Sequence, residues 1–122
     1  MVAHTSDIKR NTERDEHDCT FSLYSLSVHR ILDKIGGYKI NITNFSRLPL
    51  SIMMRVSINK LNSNLQKLES IGTDLSNRLK HTRAMGEFDG KEGLIQQLEI
   101  EIDLFFEMMK VQTQKYMQVV QL

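Results

Sequence analysis

Glu99, Glu101, Asp103 and Glu107 place four carboxylates within nine residues. Closely spaced carboxylates are the raw material of general acid–base chemistry, one holding a proton while the other accepts one. The residues between them, Ile100, Ile102, Leu104, Phe105 and Phe106, are all apolar. A charged run interleaved with greasy side chains is the pattern of an amphipathic helix whose charges face water. Solvation is therefore the reading, and no catalytic residue is assigned.

The other reactive groups are sparse. His4, His17, His29 and His81 lack metal-ligand spacing, and the one close pair, His17-x-Cys19, sits in the polar stretch "ERDEHDCT". Neither a metal nor a cofactor is expected from so thin a donor set. Gly86, Gly90 and Gly93 do not form a phosphate-cradling loop, because no strand precedes them, and they read as turn residues. Arg78, Lys80, His81 and Arg83 form a basic cluster without interleaved aromatics. That composition suits an acidic helix or an acidic partner better than nucleic acid, which is not expected as a ligand. The net charge of +1 points the same way. The single cysteine, Cys19, has no intrachain disulfide partner and suggests a reducing compartment. No apolar run reaches the length of a membrane span.

With 122 residues, 40% of them hydrophobic, the chain is sized for one core. Residues 1–19 carry too few large apolar side chains to offset the entropy of ordering and are expected to be a disordered tail. In 20–35, Phe21, Tyr24, Val28, Ile31 and Ile35 follow alternating steps of 3 and 4, which predicts a short amphipathic helix. Thr20 is its candidate N-cap and Gly36-Gly37 its stop. Residues 36–48 then read as a connector, with "YKINI" a candidate extended piece. Pro49 is placed in the first turn of the next helix.

Residues 49–122 carry two long heptad seams. The first passes through Ile58, Leu61, Leu65, Leu68, Gly72, Leu75 and Leu79, and the second through Ile95, Leu98, Ile102, Phe105, Met109, Tyr116 and Val119. A break at 86–91 lies between them, with Asp89 a candidate cap. Folding back at the break buries each seam against the other, about a midpoint between Phe88 and Asp89. Gly72 then faces Phe105, small against large. Residues 47–85 hold seven Lys or Arg against two acids, and 91–122 three Lys against five acids, so the arms attract.

The fold class expected is all-α: an elongated antiparallel helical hairpin, coiled-coil-like, preceded by a short accessory helix and the disordered tail. Such a hairpin leaves apolar residues over. Leu104, Phe106, Met108 and Val111 lie off the second seam and are assigned to a partner; Ile52, Met53, Val56 and Ile71 lie off the first. Methionine suits adaptable contacts of this kind.

Three stretches, "FSLYSLSVHRILDKI", "LNSNLQKLESIGTDLSNRLKHTRAM" and, after a glycine-containing turn, "GLIQQLEIEIDLFFEMMKVQTQKYMQ", resemble subunit 9 of the Mediator complex. The resemblance spans about residues 21–118 and rests on an aromatic-Ser-Leu opening, an Arg-Leu-Lys before the turn and a Leu-x-x-Glu-Ile rhythm after it. It implies a non-enzymatic scaffold subunit in RNA polymerase II transcription, located in the nucleus and pairing by coiled coil with Mediator subunit 4. The same physical pattern fits a small coiled-coil subunit of a kinetochore or endosomal tethering complex, with the cytoplasm as the other compartment. A self-contained helical bundle fits it too. An enzyme without a cofactor, or an RNA-binding module, requires a concave pocket or a contiguous basic face.

Overall fold

The computed structural model describes the backbone of residues 2–120 and the side chains of residues 15–120. The described residues form three α-helices and no strand: α1 (Val2–Phe45), α2 (Ile52–Ala84) and α3 (Lys91–Val120). The chain is all-α, as its periodicity predicts.

α1 corrects the expected organisation of the first third. A short accessory helix at 20–35 and a connector at 36–48 are replaced by one helix of 44 residues. Gly36 and Gly37 do not end it, because neither takes the positive φ of a C-terminal glycine. The seam simply continues past them: Phe21, Tyr24, Val28, Ile31, Ile35, Tyr38, Ile42 and Phe45 keep alternating steps of 3 and 4. Phe21, Val28, Ile35 and Ile42 are fully buried, and Tyr24, Ile31, Tyr38 and Phe45 pack against them half-buried. Two glycines cost a helix about 2 kcal/mol relative to alanine. Burying Ile42, and half-burying Tyr38 and Phe45 beyond them, offsets that, since a fully buried large side chain contributes about 1.5–3 kcal/mol. "YKINI" is accordingly helical, not extended.

The segment expected to be a tail, 1–19, is likewise helical from Val2 onward, while Met1 lies outside the described residues. At its end, where side chains are described, the contacts are charged: His17 meets Glu87 and Glu92, and Asp18 lies 3.5 Å from Arg83. Thr20 is no N-cap. Its hydroxyl donates to the Glu16 carbonyl within the helix.

The first break therefore falls at 46–51. The Arg55 guanidinium donates to the carbonyls of Ser46 and Leu48, tying this connector to the first turn of α2. Ser51, not Pro49, opens α2, its hydroxyl accepting from the Met54 amide at 3.2 Å. Pro49 lies in the connector. The second break, 85–90, contains two glycines at positive φ, Gly86 at 74° and Gly90 at 94°. Lys91 closes it. Its side chain is only 2% exposed, and its ammonium donates to the Gly86 carbonyl at 2.7 Å, lies 3.4 Å from Glu87 and sits 5.4 Å above the Phe21 ring. A buried cation needs such partners.

Every pair of helices is in contact. Along α2, contacts with α3 run in reverse order: Arg78 with Glu101, Gly72 with Phe105, Asn64 with Gln112. α1 and α2 show the same reversal, His29 meeting Ser76 and Lys39 meeting Glu69. α1 and α3 run in step, with His17 at Glu92 and Asn41 at Tyr116. The three seams share one core, with Leu65, Ile102 and Phe105 among its fully enclosed members.

Candidate partner-binding face

The seam residues read from the spacing divide as follows. Ile58, Leu61, Leu65, Leu68, Gly72, Leu75 and Leu79 of α2 are buried, and so are Ile95, Leu98, Ile102, Phe105, Met109 and Tyr116 of α3. Val119 is half-buried. α1, although far longer than expected, packs over this seam and leaves most of the off-seam residues in the open.

Of the four residues assigned to a partner, Leu104, Met108 and Val111 are exposed, Leu104 at 58%. Phe106 differs. It is half-buried against the core, its ring tilted 42° to that of Phe105 at 6.3 Å between centroids. Ile100 is also exposed, and Ile100, Leu104, Met108 and Val111 follow steps of 4, 4 and 3. Residues at those steps share one side of a helix. The result is a ridge along α3.

The ridge borders a groove of about 460 Å³ between α2 and α3, lined by Ile71, Leu75, Leu104 and Met108 among others. Among the described residues, none of its lining comes from α1. Arg78 and Glu101 span it, 2.5 Å apart, with Asp74 also 3.6 Å from Arg78. The hydrogen bond from Arg78 holds the Glu101 carboxyl below its ordinary range, and the charge on Arg78 adds to this against the opposing effect of burial. The partner effect appears on Arg78, whose own affinity for its proton is raised, first by that hydrogen bond. A second groove, of about 400 Å³, opens between the start of α2 and the end of α3, where Met53, Met54 and Leu61 face Lys115 and Val119. Beside it Ile52 and Met53 are each 82% exposed and Val56 60%. Large apolar side chains are thus exposed on both helices, at the start of α2 and along α3.

The reactive side chains are dispersed. Among the described residues, no group of three or more His, Cys, Asp or Glu is arranged to hold a metal ion, and no helix is long and apolar enough to cross a membrane. His29 pairs with Ser76, Cys19 is exposed, and Arg83 turns to Asp18 and Ser22. His4 lies outside the described side chains. The contacts of His17 are the ones sequence reasoning missed, since its acidic partners are 70 and 75 residues away. No protein-family model, no curated protein and no solved structure matches the chain.

Proposed function

We propose that this chain is a non-catalytic structural subunit of a multiprotein assembly, which takes a partner helix on the α2–α3 face. In this reading α2 and α3 act as an antiparallel, coiled-coil-like hairpin and α1 braces them from behind. The observation that carries it is the groove in which Ile71, Leu104 and Met108 lie open to solvent, with no α1 residue among its described lining. A helix is the fitting occupant. Anchors at steps of 3 and 4 mesh with an opposing helix whose axis lies about 8–10 Å away. Arg78 and Glu101 offer both signs of charge at the groove, which favours one register of the incoming helix over others.

The resemblance to Mediator subunit 9 narrows the proposal to a nuclear scaffold subunit in transcription, with Mediator subunit 4 as the pairing chain. The deciding experiment is affinity purification from native cells with mass spectrometry, comparing the wild-type chain with Leu104→Glu/Met108→Glu. Recovery of Mediator subunits, lost in the variant, supports this reading. Kinetochore or tethering proteins lost in the same way move the chain to another assembly. A second reading follows from the core that all three helices share: the chain is a self-contained bundle. A monodisperse monomer that recovers no protein sensitive to the double substitution selects it.

A further inference from the structure

His17 of α1 stands between two carboxylates 70 and 75 residues further along the chain. Its Nδ1 lies 3.0 Å from a Glu87 oxygen in the bend between α2 and α3, and its Nε2 lies 3.2 Å from Glu92 in the first turn of α3. The side chain is only 15% exposed. A neutral imidazole has one N–H and one lone pair, whereas an imidazolium has two N–H groups. Two carboxylate acceptors, one on each ring nitrogen, are satisfied only by the charged form. The neutral ring turns a lone pair toward one of the carboxylates at hydrogen-bond distance.

We propose that His17 is a proton-operated clasp: protonated, it fastens the front of α1 to the α2–α3 bend through Glu87 and Glu92, and neutral, it lets that end of α1 go. The surrounding charges decide what remains of the contact when the proton leaves. Around His17, α1 carries Asp15, Glu16 and Asp18, and the bend and α3 present Glu87 and Glu92. Among the described side chains, the nearby cations are already engaged, Arg83 of α2 by Asp18 and Lys91 of α3 by the Gly86 carbonyl and Glu87. Once His17 is neutral, Glu87 and Glu92 lose their charged partner on α1, and Asp18–Arg83 is the ionic contact that remains among the described residues at this end of the helix. Phe21, buried one turn further on beneath the Lys91 ammonium, limits the opening to the helix in front of it. Release of this kind is local, an end of a helix fraying while the core stays closed.

The pH range follows from the direction of the shift. Burial works to lower the His17 pKa, but hydrogen bonds to Glu92 and Glu87 and the charges of both raise it above the ordinary 6.5. A raised folded-state value means that the clasp is fully engaged below 6.5 and is lost as pH rises through the folded value.

The test is a histidine NMR titration of the full chain, combined with hydrogen exchange at pH 6 and pH 8 corrected for intrinsic exchange rates. The expected result is a His17 midpoint above 6.5, with amide protection of residues 15–20 falling several-fold between the two pH values while that of α2 holds. His17→Gln should abolish the pH dependence. Glu87→Gln/Glu92→Gln, which leaves the imidazole in place, should bring its midpoint back down. A wild-type midpoint at or below 6.5, or protection at 15–20 that changes equally in wild type and His17→Gln, overturns the clasp.

Discussion

Gly72 and Phe105 meet where α2 and α3 cross, so closely that a Cβ on Gly72 would stand 2.8 Å from the tip of the Phe105 ring and 2.7 Å from a methyl of Leu32. Phe105 is fully enclosed and has no room to retreat, whereas Leu32 is half-buried and can turn aside. Gly72→Ala therefore gains about 1 kcal/mol of helix propensity but is charged about 1–3 kcal/mol for overpacking. The expected net is a loss of roughly 1 kcal/mol in urea unfolding. Phe105→Leu, which shortens the opposing side chain, should make the same glycine substitution less costly. Equal costs in both backgrounds would mean that the two residues are not coupled.

Phe105 and Leu104 are neighbours in sequence with opposite surroundings, 0% and 58% exposed. Phe105→Ala should cost about 3–5 kcal/mol, since the side chain is removed from a closed core. Leu104→Ala should stay within about 0.5 kcal/mol, as for other surface changes. Chemical denaturation of the two variants checks the contrast, and a large loss from Leu104→Ala would place it in the fold rather than on a contact surface.

The Arg78–Glu101 pair gives stability a dependence on pH at the acid end. Glu101 is held below its ordinary value of 4.5, first by the hydrogen bond from Arg78, so its contribution is present above 4.5 and is lost as pH falls through the folded value. Both side chains are partly exposed, at 39% and 34%, which keeps the pair within about 1 kcal/mol. Glu101→Gln should lower stability by up to that amount at pH 7 and flatten the loss below pH 4.5. An unchanged acid limb in the variant would show that the pair does not report on folding.

Spacing made the buried faces of α2 and α3 legible because apolar side chains at steps of 3 and 4 have only one side of a helix to occupy. The same rule reached Ile35 and then stopped at Gly36-Gly37, where a local preference of glycine was allowed to outrank the pattern. Tyr38, Ile42 and Phe45 carried the missing signal: Tyr38 stacks on Tyr116 at 3.8 Å between ring centroids, and Asn41 donates to the Tyr116 hydroxyl at 2.8 Å. The exposed ridge at Leu104, Met108 and Val111 was legible for the same reason as the seam, as what the seam leaves over. Phe106 was not, since half-burial at the edge of a core depends on the rotation of α3 against its neighbours rather than on sequence steps. The contacts of His17 were hidden more completely. They join segments 70 and 75 residues apart through charge, and no periodicity records such a pairing.

Glycine substitutions test the continuity of α1 directly, because the same change should act with opposite sign at two places. Gly36 and Gly37 lie inside α1 without a positive φ, and a Cβ at either meets nothing within 4 Å. Gly36→Ala and Gly37→Ala should each stabilise the chain, by about 0.5–1 kcal/mol, through helix propensity and a less disordered unfolded chain. Gly86 and Gly90 also have open space around the added carbon, but their φ values of 74° and 94° strain any L side chain. Gly86→Ala and Gly90→Ala should each destabilise by about 1–2 kcal/mol, the cost of holding alanine in a left-handed conformation. Thermal melts of the four single variants separate the two classes. A helix ending at Gly36-Gly37 would put one of those glycines at positive φ and make its alanine variant melt lower than the wild type, so the sign of that one shift decides whether α1 runs through.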